Sequence, residues 1–346
     1  MNNTEKIDRI ANKQVDGRYI HGISLCIQNE SRDLDHLISL GNLTDDHPYF
    51  IASTTKLFTT AIILQLRNEN KLRLEDPIGL FLSADQLAGL HQLKGIDSIS
   101  KITIKHLLAQ TSGIGDYFSG KPKGGVSLEK ELMEGKDRYW SFEEAMDRAR
   151  TISPAFFPGT NGKALYSDTN FQLLGKIIEN ITGHSYAQAV DLRISKVLGL
   201  KTTYVYSDET DRTPLCLYYK RNPLSIYKAM SSVQVDGGIV SNATESMVFL
   251  RAFFNGQLFP KSYLEELYSW NKIFFPLQYG VGITRFKVPW FFSPFKSIPE
   301  IIGHSGLSGA FAYYCPAKGL YLTGTVNQIH SPSVSYQMLI RILNLF

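Results

Sequence analysis

Cysteine is scarce in this chain of 346 residues: Cys26, Cys216 and Cys315 are widely spaced and odd in number. Such a set supplies neither a disulfide framework nor a zinc-ligand spacing. The 8 histidines are scattered, with no His-x-x-x-His pair and no paired-carboxylate motif beside them. No metal site and no cofactor are therefore expected. A strong charge of one sign is also missing. The formal net charge of +4 is small for this length, and the longest basic cluster, Lys121-Pro122-Lys123, sits in a Gly-rich loop. Nucleic-acid binding gains no support from this distribution. Long apolar runs are absent, so no membrane span is expected. The polar opening Met1-Asn2-Asn3-Thr4-Glu5-Lys6 leads into nothing like a signal-peptide core. As written the chain reads as cytoplasmic, or as extracellular or periplasmic if a leader is missing. It lacks internal repeats and low-complexity linkers, so it reads as one catalytic unit over residues 1–346.

What remains is a pattern of strands at the two ends and helices between them. His21 to Gln28 alternates apolar residues (Ile23, Leu25, Ile27) as a strand does. A helix is expected from about Ser53 to Asn68, where Leu57, Phe58, Ala61, Ile62, Leu64 and Leu66 cover most of the circumference, the mark of a buried central helix. Glu75-Asp76-Pro77 reads as a helix start. Thr103 to Leu108 runs to a stop at Thr111-Ser112-Gly113, and a further helix covers about Thr169 to Asn180 before Gly183. Thr244 reads as the cap of a helix closed by Gly256. Phe311 to Cys315 and Leu320 to Val326 flank Pro316-Ala317-Lys318-Gly319 as a hairpin, and Val334 to Phe346 suits an amphipathic helix on that sheet. Cys26 and Cys315 fall inside strand-like runs and are expected to be buried, inert thiols. The expected organisation is an α/β lobe over about 1–75 and 275–346, with a mainly helical lobe over about 76–274 inserted in it and a cleft between them.

Chemistry is concentrated in Ser53-Thr54-Thr55-Lys56. A serine and a lysine three apart on a helix share one face. A hydroxyl near a helix start also sits close to N–H groups that have no intrahelical partner. This supplies a nucleophile, an amine to activate it and the beginning of an anion-stabilising pocket. Alone the pattern is weak, because serine readily caps helices and a helix lysine is usually solvated. Its company raises it. Tyr166-Ser167-Asp168 precedes a helix, and Gly303-His304-Ser305-Gly306 precedes a strand. The Ser-x-x-Lys pattern is an established signature of β-lactamases and penicillin-binding proteins.

With these motifs in this order the chain resembles the β-lactamase-related serine hydrolases: class C β-lactamases, D-alanyl-D-alanine carboxypeptidases, D-aminopeptidases and esterases of the penicillin-binding-protein fold. Further stretches that carry the resemblance are Leu74-Glu75-Asp76-Pro77, Ile104 to Gly113, Phe157-Pro158-Gly159-Thr160, Tyr166 to Gly175 and Gly237-Gly238-Ile239-Val240-Ser241. The resemblance implies an α/β (α+β) fold of the β-lactamase/transpeptidase type, an antiparallel sheet flanked by helices. It makes Ser53 the nucleophile of an acyl-enzyme, Lys56 the residue that takes or relays its proton, and Tyr166 a hydrogen-bonding or general-base partner. It places the strand of His304, Ser305 and Gly306 along one wall. The N–H groups of Leu307 and Ser53 become the oxyanion hole, each donor worth about 3 kcal/mol. A neutral Lys56 costs about 4–5 kcal/mol at pH 7 unless burial lowers its pKa. Tyr166 in turn needs nearby cations, for which Lys56 and a protonated His304 are candidates.

Two positions depart from the family's commonest pattern. His304 stands where lysine is usual, and Asp168 where asparagine is usual. A histidine is only partly charged near neutrality, so its pull on a substrate carboxylate is weaker. A carboxylate at Asp168 would keep Lys56 charged and repel anionic substrates; it can alternatively cap the helix, with Asn170 supplying the amide. Tyr166 can alternatively be a packed aromatic, and His304 a structural histidine. A lipase-type nucleophile elbow at Gly303 to Leu307 is rejected, since Leu307 replaces the final glycine and a strand follows. The expected activity is a serine hydrolase cleaving an ester or amide, such as a D-amino-acid peptide or a small ester, rather than efficient β-lactam hydrolysis. A class C-like β-lactamase or carboxypeptidase is the alternative among enzymes. Outside enzymes, the alternative is a catalytically weak relative that binds a peptidoglycan fragment or a protein partner. The expected substrate is a small molecule or short peptide, and selectivity is expected in cleft loops such as Ser119 to Lys136. Oligomeric state is left open. The aromatic run Trp290 to Phe295 reads as strand packing or as an apolar wall.

Overall fold

Strand-forming residues from the two ends of the chain meet in one sheet. The computed structural model describes residues 2–288, 298–331 and 333–346. Among them eight strands form the main sheet: β1 (Gly22–Asn29), β2 (Asp35–Gly41), β3 (Asn271–Phe274), β4 (Leu277–Tyr279), β5 (Thr284–Phe286), β6 (Ile301–Ser305), β7 (Ala310–Cys315) and β8 (Leu320–Thr325). Their order is β3-β4-β5-β6-β7-β8-β1-β2, antiparallel throughout. β8 and β1 pair with Cys26 opposite Thr323, so strands far apart in sequence lie side by side. The expected hairpin is present: a short turn at Pro316–Lys318, closed by Gly319, joins β7 to β8. Trp290 to Phe295 lie outside the described residues.

Alternation within β1 assigns its side chains to two cores. Ile23, Leu25 and Ile27 pack with Phe311, Tyr313 and Leu322 under two helices, α1 (Asn3–Asn12) and α6 (Ser333–Leu343), through Ile7, Ala11, Met338, Leu339 and Ile342. Cys26, Ala312 and Tyr321 face the other way, into the larger core that holds α2 (Thr55–Asn68), α4 (Asp168–Thr182) and α5 (Ala243–Asn255). Each fully buried Leu, Ile or Phe contributes about 1.5–3 kcal/mol, which makes these two cores the main stabilising element. Cys26 and Cys315 are buried free thiols, as expected, and Cys216 is half-buried.

The central helix matches its expected character, with Leu57 to Leu64 buried all round. Its start differs. Ser53 belongs to a preceding 3-10 turn, Ala52–Thr54, and α2 begins at Thr55. The helix expected after Thr244 is capped two residues earlier. Asn242 accepts from the Glu245 N–H at 2.8 Å, a bond that the longer β-type extension at Asn242 allows. Pro77 introduces only a 3-10 turn, Ile78–Leu80, instead of an α-helix. α5 and β3 both fall in the 76–274 stretch assigned to the helical lobe, yet β3 edges the sheet and α5 packs upon it. Thr323 donates to the Ala243 carbonyl at 2.7 Å, and Arg251 donates to Asn29 at 2.8 Å and Glu30 at 2.9 Å. The insertion between the sheet's parts is therefore shorter at its C-terminal end than the residue pattern suggests.

Candidate active site

Ser53 occupies a turn that the C-terminal end of β6 presses from one side. Ala52, just before it, has φ of 45°, in the left-handed region. A non-glycine residue held there stores about 1–3 kcal/mol, and such outliers gather at functional sites. Gly306, just past the end of β6, lies against this turn: a Cβ on it would come within 2.5 Å of the Ile51 carbonyl and 2.8 Å of the Ala52 Cβ. Close backbone approach of residues 303–306 to the nucleophile position thus requires glycine at 306.

Lys56, the second residue of α2, is fully buried. Its ammonium donates to Ser53 Oγ at 3.1 Å and to the backbone carbonyl of Asp236 at 2.7 Å, and it forms an ion pair with Asp168 Oδ1 at 2.6 Å. The Tyr166 and Phe171 rings complete its surroundings, with centroids 5.1 and 5.4 Å away. Burial opposes the charge, but Asp168 first, then Asp236 and Tyr279, outweigh it and hold the amine above its ordinary value. Of the two opposed expectations, lowering by burial and raising by a carboxylate at Asp168, the second prevails. An Asp168 that reaches Lys56 does not cap its helix. Ser167 holds the cap position of α4, and Asp168 is its first residue. Asn170 does not supply an amide to the site either, since it is tied to Ser112 and Gln110, each at 2.6 Å.

Tyr166 packs edge-on against Tyr279 at 5.8 Å. Burial first, and then the charge of Asp168, push its phenol well above the ordinary value. His304 is buried. Its Nδ1 lies 2.8 Å from the Ser305 carbonyl, which can only accept, so Nδ1 carries the proton and Nε2 accepts from the Tyr279 hydroxyl at 3.3 Å. Burial and then Lys56 depress its pKa to about 3. The protonated His304 expected as a cation beside Tyr166 is thus absent near neutrality, because a second charge next to Lys56 in an apolar wall is too costly. Ser305 is held by Tyr336 of α6 at 2.6 Å.

All these positions converge. Ser53, Tyr166, Asp168, His304, Ser305, Gly306 and Leu307 line one cleft of about 310 Å³, with Lys56 beneath it. A second, apolar pocket of about 80 Å³ opens from Ser53 toward Leu132, Leu217, Ile226, Met230 and Val233. The sequence reading missed several neighbours. Asp236, besides offering its carbonyl to Lys56, receives Tyr117 at 2.9 Å and Gln172 at 3.0 Å on Oδ2, and burial with the charge of Asp168 pushes its carboxyl up. Asp116 accepts the Asp168 N–H at 2.9 Å, and burial followed by Asp168 raises it to about 6. A carboxyl inside an otherwise apolar run, as at Val235-Asp236-Gly237, is the signal that could have found them.

A family model named Beta-lactamase matches residues 7–343. The chain belongs to the beta-lactamase family. Among curated proteins, teichoic acid D-alanine hydrolase of Staphylococcus aureus is 25% identical over 181 residues, covering 52% of this chain and 38% of that protein. The chain spans between 38% and 53% of the length of the curated relatives it matches first. Among solved structures, a D-stereospecific amidohydrolase from Streptomyces sp. superposes with a TM-score of 0.76 at 26% identity, over 94% of this chain and 95% of that one. The D-amino acid amidase from Ochrobactrum anthropi SV3 complexed with D-phenylalanine gives a TM-score of 0.81 at 21% identity, over 99% and 98%. That likeness establishes the β-lactamase/transpeptidase-like fold. No helix among the described residues is long and apolar enough to cross a membrane.

Proposed function

We propose that this beta-lactamase family chain is a serine hydrolase that cleaves an ester or amide through an acyl-enzyme on Ser53. The observation that carries this reading is Ser53 Oγ held 3.1 Å from a fully buried Lys56 at the floor of the cleft. Ser53 attacks the carbonyl carbon, its proton passing toward Lys56 or Tyr166, and the N–H groups of Ser53 and Leu307 receive the oxyanion. Protonation of the leaving group and attack by water complete the cycle. As an ammonium Lys56 positions the serine, and it becomes a base only after losing its proton.

An acyl group with an apolar side chain suits the pocket beside Ser53. The amidohydrolase and amidase neighbours, and the D-alanine hydrolase relative, support amides or esters of small amino acids as substrates. Neutral His304 offers no charge to a substrate carboxylate. Steady-state turnover of aminoacyl amides and short p-nitrophenyl esters is expected to exceed that of cephalosporins. Cephalosporin turnover far above both would overturn the ranking. The Lys56–Asp168 ion pair favours a second reading, a catalytically weak relative that binds a peptidoglycan fragment or protein partner. Turnover of none of these substrates would make it the leading one.

A further inference from the structure

The cleft at Ser53 is acidic. Asp116, Glu129 and Asp168 line it, and no lysine or arginine does so among the described residues. Two of these carboxyls are committed. Asp168 pairs with Lys56 at 2.6 Å. Asp116 accepts from Phe118 and Asp168 N–H groups on one oxygen, at 3.2 and 2.9 Å, and from Ser119 on the other. Glu129 differs from both. It sits on the short helix α3 (Leu128–Met133) that follows the loop at Ser119, and it lines both the cleft and the apolar pocket. Half-buried, its carboxylate has no hydrogen-bond or ion-pair partner among the described residues.

Removing a carboxylate from water without a partner is costly, and the cost is recovered when a cation arrives. We propose that Glu129 receives the ammonium group of the substrate, so that the preferred substrates carry a free amino group near the scissile carbonyl and an apolar side chain beside it. This rests on the reading of Ser53 as the nucleophile. The same carboxylates repel a substrate carboxylate, so selectivity is obtained by repulsion as well as by attraction.

Binding can be measured without turnover. The full chain carrying Ser53→Ala is titrated calorimetrically near pH 6 with phenylalanine amide, whose amine is then charged, and with N-acetylphenylalanine amide, which is neutral. The charged ligand is expected to bind at least about tenfold tighter, equivalent to about 1.4 kcal/mol. The preference should shrink as salt is raised and disappear when Glu129→Gln is added, while Glu129→Asp keeps part of it. Equal affinities, no binding of the charged ligand, a preference insensitive to salt, or one that survives Glu129→Gln overturns the proposal. The salt series decides the matter even where Glu129→Gln does not fold. Failure of the nucleophile reading shows separately, as wild-type protein that a fluorophosphonate leaves unmodified at Ser53.

Discussion

Lys56 and Asp168 are joined by an ion pair of 2.6 Å on the floor of the cleft, the lysine side chain at 0% exposure and the aspartate at 13%. Removing one member of such a pair leaves the other charge uncompensated. The amine that stands beside Ser53 is thereby held as a cation, with its pKa above the ordinary 10.5. Catalysis that requires the free amine must then rise with pH.

Asp168→Asn removes the largest influence holding that proton in place. The rising limb of kcat/KM should move to lower pH, and the rate at neutral pH should rise by about tenfold for each unit of movement. Measuring kcat/KM from about pH 6 to pH 10 checks this, and a wild-type plateau already reached at pH 6 contradicts it.

Gly306→Ala tests the approach of the end of β6 to the nucleophile turn. Its Cβ would meet the Ile51 carbonyl at 2.5 Å and the Ser53 nitrogen at 3.2 Å, so the two segments must separate. Overpacking of this kind costs about 1–3 kcal/mol of stability. Misplacement of the reacting groups lowers kcat by about a hundredfold. Urea unfolding and steady-state kinetics read the two effects, and wild-type kcat in a folded variant contradicts the geometry.

His304 makes stability depend on pH in a definite direction. Its folded pKa of about 3 lies below the ordinary 6.5. A depressed value means that its contribution is fully present above 6.5 and is lost as pH falls toward 3. Across that window the unfolded chain binds one more proton at this residue, a slope of about 1.4 kcal/mol per pH unit. Unfolding free energies of wild type and His304→Gln are therefore expected to converge on acidification, whereas parallel curves contradict a neutral, buried His304.

Much of the site is legible in the sequence because its chemistry sits in short local motifs. Ser53 and Lys56 are one helical turn apart, Tyr166 and Asp168 open α4, and His304 to Leu307 end a strand. The substitution of aspartate for asparagine at position 168 and of histidine for lysine at 304 already signalled a cleft unfriendly to carboxylates. What the sequence did not disclose depends on distant returns of the chain. Asp236 reaches Lys56 through a backbone carbonyl 180 positions away, which no side-chain pattern encodes. The protonation of His304 follows from burial and from Lys56, so residue type alone pointed the wrong way there, whereas the aspartate at 168 already pointed to a charged Lys56. Helix starts were displaced by a residue or two where side-chain caps decide them, as Asn242 does ahead of Thr244.

The central claim is that Ser53 is a working nucleophile. Intact-protein mass spectrometry after incubation with a fluorophosphonate, with Ser53→Ala as control, tests it most directly. The account predicts a single adduct on the wild-type protein that is absent from the variant. An unmodified wild-type protein, or an adduct that persists in Ser53→Ala, would contradict it.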